Sequence, residues 1–242
     1  MEHSDLLDGL NQQGYCVLPG VFSEAEINAF RAATMNNLAM MGQTRDVVHA
    51  YHLAGFHRFP ALAELHAQIA GNDTLNAFLS AYYGGRSYYA IGLSDITVNR
   101  SQHWHTDLLR GKYSAFLDQG VAWAEMQASC IKALVYLQDG ASLAVVPGSH
   151  AAPTPLDDVQ LEELANSADV VRAKVRTGDV VMMDIRVLHR GSTDADMRRP
   201  ELAQNPKILF STVFGPVKSE FAQAMQIGNA HRMADWDRRF LN

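Results

Sequence analysis

Cysteine is nearly absent from this chain. Its 242 residues hold two, Cys16 and Cys130, too few for a disulfide framework and suited to a reducing, cytoplasmic compartment. Apolar runs are short, and none reaches the roughly eighteen residues that would read as a membrane span. The opening Met1-Glu2-His3-Ser4-Asp5 lacks the basic n-region of a secretory signal. Basic charge is in deficit, with 20 Lys+Arg against 26 Asp+Glu for a net charge of −6, which argues against a nucleic-acid partner. Repeats, low-complexity tracts and linker-like stretches are also missing. The expectation is one soluble domain over 1–242, since a chain of this size buries roughly 70% of its unfolded surface without disulfides or metals.

What is present divides into three parts. Residues 1–86 read as helical, interrupted by a strand at Tyr15-Cys16-Val17-Leu18. Ser4 caps a first helix that stops at Gly14. Ser23-Glu24-Ala25-Glu26 is a capping box opening an amphipathic helix on which Ile27, Phe30, Leu38 and Met41 share a face. Helices follow over 61–70 and 73–83, the second capped by Asp73. From 87 to 216 come short β-like runs: Tyr88–Leu93, Ile96–Asn99, Ile131–Leu137, Leu143–Val146, Val170–Val175, Val180–Ile185 and Ile208–Phe214. Their density points to a sandwich or barrel rather than βαβ units. Thr177-Gly178-Asp179 is the best hairpin turn among them, and Pro155–Asn166 reads as an inserted helix. The tail 217–242 is one or two amphipathic helices.

Ten histidines stand out in this frame. Gln102-His103-Trp104-His105-Thr106-Asp107 contains a His-x-Asp, and on an extended chain residues i and i+2 point the same way. His105 and Asp107 can therefore present an imidazole and a carboxylate to one ion. A second histidine from elsewhere would complete a two-His-one-carboxylate facial triad, which leaves three positions of Fe(II) open. Spacing alone is weak support, because this composition is expected to produce such a pair by chance. The sequence in fact holds a second one, His3-x-Asp5.

Three other stretches give the pair its context: Leu143-Ala144-Val145-Val146-Pro147-Gly148-Ser149-His150; Thr177–Asp184 running into Asp184-Ile185-Arg186-Val187-Leu188-His189-Arg190-Gly191; and Gly14–Ser23 before a helix. Together with Trp104–Asp107 they resemble the phytanoyl-CoA dioxygenase-like family of Fe(II)/2-oxoglutarate oxygenases, over about residues 10 to 216. The resemblance implies a mainly β fold with helical backing: a double-stranded β-helix (a cupin-like jelly roll) with N-terminal helices and a C-terminal helical tail. It also implies that His105, Asp107 and His189 bind Fe(II), with 2-oxoglutarate and O₂ as co-substrates. The implied reaction is hydroxylation of an unactivated C–H with release of succinate and CO₂. Related halogenases carry a small residue where Asp107 stands, so the carboxylate favours hydroxylation or desaturation.

The family anchors the distal 2-oxoglutarate carboxylate with an Arg soon after the second His. Here the chain departs from the pattern. Arg198 and Arg199 fall at the expected distance from His189, whereas Lys207 takes the place when counted back from Phe214. Arg199 and Lys207 compete evenly and Arg198 follows; an Arg gives a bidentate fork, a Lys a point charge. Ser192 and Gln102 are candidates to bond the co-substrate. Arg110, Lys112, Tyr113 and Trp123 follow the metal strand as a pocket wall compatible with a carboxylate-bearing small molecule. His150 reads as turn structure, Trp104 as core, His103 as a neighbour of the ligands, and His49, His52 and His57 as surface or pocket residues on a helix-to-loop segment. Two rival readings are a cupin-like three-His oxygenase using His103, His105 and His189 without 2-oxoglutarate, and a non-catalytic jelly-roll binding protein. Oligomeric state and substrate identity are not encoded in any motif.

Overall fold

The computed structural model describes residues 3–43, 50–124, 129–164 and 167–241. Helix α1 (His3–Gln13) ends at Gly14, whose φ of +79° takes the left-handed turn that L side chains avoid. Strand β1 (Tyr15–Leu18) follows. Helix α2 (Glu24–Asn36) starts at Ser23, whose hydroxyl accepts from the Glu26 N–H while the Glu26 carboxylate accepts from the Ser23 N–H. It stops short of the expected apolar stripe, and Leu38–Met40 is a separate 3₁₀ turn.

Strands β2 (Gly42–Gln43) and β3 (Tyr51–Ala54) interrupt the region expected to be helical up to residue 86. Helices α3 (Pro60–Ala70) and α4 (Asp73–Tyr82) occur as anticipated. The cap of α4 is Asn72 rather than Asp73, because the Asn72 side chain accepts from the Leu75 N–H at 3.1 Å.

The strands after this are β4 (Tyr88–Val98), β5 (Ile131–Tyr136), β6 (Gly140–Val145), β7 (Val171–Val175), β8 (Val180–Asp184), β9 (His189–Arg190) and β10 (Ile208–Pro216). Helices α5 (Gln119–Ala124), α6 (Asp158–Glu163) and α7 (Glu220–Phe240) complete the chain. The tail is thus one 21-residue helix. No helix among the described residues is long and apolar enough to cross a membrane.

Two antiparallel sheets form the double-stranded β-helix. The larger has the order β1-β8-β5-β10-β4-β3-β2, and the smaller is β7-β6-β9. Helices occupy more of the chain than strands, so the β character belongs to the core that they back. Strand β5 shows how the layers are built. Ile131, Ala133 and Val135 pack with Ile27, Phe30, Leu62 and Phe78 of the helices, while Leu134 and Tyr136 pack with Leu143, Val145, Ala173 and Val175 of the smaller sheet. Alternation therefore puts two different apolar cores on the faces of one strand.

The turn at Thr177-Gly178-Asp179 does not make the expected hairpin. β7 pairs with β6, and β8 pairs with β1 and β5, so the turn is a corner between sheets. Gly178 supplies a φ of +87°, and the Asp179 carboxylate accepts from the N–H groups of Arg176 and Gly20. These bonds tie the corner to the β1–α2 loop instead of letting the two strands fold onto each other.

Candidate metal centre

The metal strand is an extended segment at the rim of the smaller sheet. His105 and His189 form an antiparallel bridge, each backbone N–H donating to the other's carbonyl at 2.9 Å. The Asp107 N–H donates to the Ile185 carbonyl at 3.2 Å. These bonds bring a ligating atom from each of His105, Asp107 and His189 within 4.8 Å of one another. The trio is the metal-capable cluster found among the described residues.

Each imidazole is oriented by the backbone. His105 Nδ1 donates to the His103 carbonyl at 2.7 Å and His189 Nδ1 to the Val187 carbonyl at 2.9 Å. A proton held at Nδ1 leaves the lone pair on Nε2, the tautomer that binds a metal. Burial pushes the His189 imidazolium down to about 3, helped by the neighbouring His105, and lowers His105 as well. Burial alone would raise Asp107, but the Lys132 ammonium and the two imidazoles overcome it and hold the carboxyl at about 2. The donor set is therefore two neutral imidazoles and one carboxylate, which fits Fe(II).

Trp104 points the other way, packing with Ala144, Leu161 and Leu188 beneath the Arg190 guanidinium. His103 is mostly exposed and faces Glu162 at 3.3 Å. A three-His centre would need it turned inward.

A narrow cavity runs inward from His189, lined by Asp95, Thr97, Arg100, Gln102, Lys132, Tyr136, Gly191, Lys207 and Ser211 among others. Lys207 is among them, its Nζ donating to Ser142 Oγ at 2.6 Å and Ser192 Oγ at 2.7 Å. Burial pushes this ammonium down to about 8. Arg199 is exposed, pairs with Glu201 at 3.6 Å and donates to the Asp196 carbonyl; Arg198 is exposed on a 3₁₀ turn. Neither lines the cavity. The reason is the excursion Pro200–Ala203, which Leu202 buries and which the Asn99 amide pins through the Leu202 carbonyl and the Lys207 N–H. That brings Lys207, at the start of β10, to the cavity instead.

A wider cleft of about 970 Å³ opens over the metal cluster. Arg110, Lys112 and Tyr113 line it together with Gln102. Arg110 spends its guanidinium on the Thr154 and Leu156 carbonyls, and Tyr113 donates to Asp235 at 3.0 Å, where Lys112 also pairs. Trp123 does not line the cleft. It lies on α5, packed on the apolar side with Phe221 and Met225, with Arg186 over its ring. Of the other histidines, His150 is buried and meets the Asn11 carbonyl at 3.0 Å, a turn role. His49 lies outside the described residues. His52 is on β3, a strand rather than a helix-to-loop segment, 3.4 Å from Asp95; His57 meets Ser94 at 2.6 Å.

Several lining residues carry no motif. Lys132 had one local signal, a lysine inside an otherwise apolar strand. Arg232, Arg238 and Arg239 reach the cleft from α7, and only packing decides which face of a tail helix does so.

A double-stranded β-helix whose rim gathers His-x-Asp and a distant His defines a non-haem iron oxygenase of the 2-oxoglutarate type. The chain belongs to the phytanoyl-CoA dioxygenase (PhyH) family, whose model matches residues 10–199, and is thus an Fe(II)/2-oxoglutarate-dependent dioxygenase. No curated protein matches it in sequence. Among solved structures, it is similar to the HygX protein of Streptomyces hygroscopicus with nickel, 2-oxoglutarate and hygromycin B bound (22% identity, TM-score 0.63, 88% of this chain and 87% of that one). It is also similar to the α-ketoglutarate-dependent epimerase SnoN of nogalamycin biosynthesis (17%, TM-score 0.63, 88% and 83%) and the carbocyclase SnoK of the same biosynthesis (21%, TM-score 0.62, 88% and 83%). At these identities the likeness is one of fold.

Proposed function

We propose that His105, Asp107 and His189 hold Fe(II), that Lys207 with Ser142 and Ser192 anchors the distal carboxylate of 2-oxoglutarate, and that the enzyme hydroxylates an unactivated C–H of a small molecule. The observation that carries this is one cavity lined by both His189 of the three-donor cluster and Lys207. Iron and 2-oxoglutarate, when bound, supply oxidising power from O₂, and the co-substrate leaves as succinate and CO₂.

The protein's own residues prepare the site. The two backbone-tethered imidazoles offer Nε2 without a proton to lose. Lys207 gives a carboxylate a charge-assisted bond, and the two serine hydroxyls that accept from it keep its ammonium in place. Gln102 lines both cavities where they meet the metal strand. Asp107 fills a ligand position that a halide would need, which favours oxygen transfer to carbon.

Arg110, Lys112, Arg238 and Arg239 give the cleft a cationic wall in a chain of net charge −6. That contrast supports a carboxylate-bearing or otherwise anionic substrate. HygX holds an antibiotic, and SnoN and SnoK act in the biosynthesis of another, so the metabolites to test include large natural products, for which the cleft has room.

The test is succinate release from 2-oxoglutarate over a metabolite panel, with product mass measured. A gain of one oxygen supports hydroxylation. An unchanged product mass, as in epimerisation, or a loss of two hydrogens overturns it while leaving the oxygenase class intact.

A further inference from the structure

The cation closest to the proposed iron ligands is Lys132. It lies on β5, between Ile131 and Ala133, on a strand buried along its whole length. Alternation sends its side chain to the inner face with Leu134 and Tyr136. Its Nζ donates to both oxygens of Asp107, at 2.9 Å to Oδ1 and 2.8 Å to Oδ2. Both side chains are close to nine-tenths buried. Lys132 also borders both the inner cavity and the outer cleft.

Such a pair is a poor device for stability. Taking two charges out of water costs about as much as their attraction returns, and apolar residues of similar size often do better. A strand that is apolar at Leu134 and Tyr136 could have carried a leucine at 132. The lysine therefore calls for a role at Asp107.

A carboxylate can give a metal one oxygen or two. In a facial triad it gives one, which leaves three positions open. Among the described residues Lys132 is the side chain that hydrogen-bonds the Asp107 carboxylate; His105 Nε2 stands farther off, 3.9 Å from Oδ1. We propose that Lys132 is a positioning residue: of the two Asp107 oxygens that it holds, it yields one to the metal and retains the other, so that only one is offered. The ammonium touches neither the reacting carbon nor the co-substrate in this role; it acts through Asp107.

The proposal rests on the metal-centre assignment above, and one measurement separates the two. Metal-stripped protein is titrated with Mn(II), and inner-sphere water is read from water-proton relaxation. Absence of Mn(II) binding by the wild-type protein overturns the metal centre. Given binding, Lys132→Met keeps the length of the stem without the cation. It is expected to lose about one of three metal-bound waters, as Asp107 closes onto the metal with both oxygens. Lys132→Arg, which keeps charge and donors, is expected to restore the wild-type value. An unchanged relaxation in Lys132→Met overturns the proposal, even if Mn(II) binds more tightly, since removing any nearby cation would tighten binding. Should Lys132→Met fail to fold, Lys132→Gln retains one N–H donor and no charge. It is expected to fall between wild type and one lost water, and a wild-type value overturns the proposal equally.

Discussion

His105 and His189 exchange both of their backbone hydrogen bonds at 2.9 Å, and their rings lie 4.2 Å apart between centroids. The relative position of these two candidate ligands is thus set by main-chain pairing and not by flexible side-chain contacts. A site built in this way is organised before any ion arrives.

Removal of a ligand side chain is therefore expected to abolish turnover. Asp107→Ala and His189→Ala should both lose succinate formation; His189→Ala should keep its stability, whereas Asp107→Ala leaves the largely buried Lys132 ammonium unpaired and should also destabilise by about 3 kcal/mol. His103→Ala, altering an exposed side chain beside Glu162, should keep wild-type succinate yield. Loss of activity in His103→Ala with retention in Asp107→Ala would instead point to the three-His centre.

Lys207 gives the enzyme a pH dependence of defined sign. Its ammonium is held down to about 8 by burial, so the free enzyme carries the charge below that pH and loses it above. The KM for 2-oxoglutarate should rise as pH passes 8, approaching about tenfold per unit, one proton being linked to binding. Lys207→Arg should flatten the profile, because guanidinium stays protonated. Lys207→Met should raise KM by roughly 10- to 100-fold, the worth of a charge-assisted bond. Arg198→Ala and Arg199→Ala should leave KM unmoved; a rise confined to Arg199→Ala would transfer the anchor to that residue.

Gly14 tests the link between the N-terminal helix and the rim. With φ at +79°, a Cβ there would fall 2.3 Å from Val187 Cγ2 and 2.6 Å from His150 Nδ1. Gly14→Ala should cost about 1–3 kcal/mol from strain and displacement. For a chain of this length that lowers Tm by roughly 2–10 °C. An unchanged Tm in a thermal melt would show that Val187 and His150 yield freely.

The Arg232 guanidinium grips both oxygens of Asp95, at 2.8 and 2.9 Å, and so holds α7 against β4. Arg232→Met strands a largely buried carboxylate and should destabilise by about 3 kcal/mol. Arg232→Met with Asp95→Asn should recover part of that. Additive losses in the double variant would show that the two residues act independently.

The helix signals were local, and the structure follows them at Ser23 with Glu26, where side chain and backbone meet within three residues, and at Gly14, whose positive φ ends the first helix. Most strands are also where apolar runs and turn residues place them. Partnership between strands was hidden. Val170–Arg176 and Val180–Asp184 look like a hairpin because one turn joins them, yet they enter different sheets, a choice made by the cores on either side. Strands β2 and β3 carried no pattern of their own and exist because β4 offers an edge.

The same division runs through the site. By itself the sequence determined the candidate ligand types: a His-x-Asp on an extended segment, and a His in a recognisable company of turns. Chemistry within a few residues is enough for that. Only the tertiary structure decided that Lys207 rather than Arg199 lines the cavity, that Trp123 packs on the apolar side, and that Lys132 grips Asp107. Those outcomes depend on which side chains meet across sheets and over an excursion such as Pro200–Ala203. Distance along the chain carries no record of such meetings; burial, hydrogen-bond satisfaction and packing choose among them.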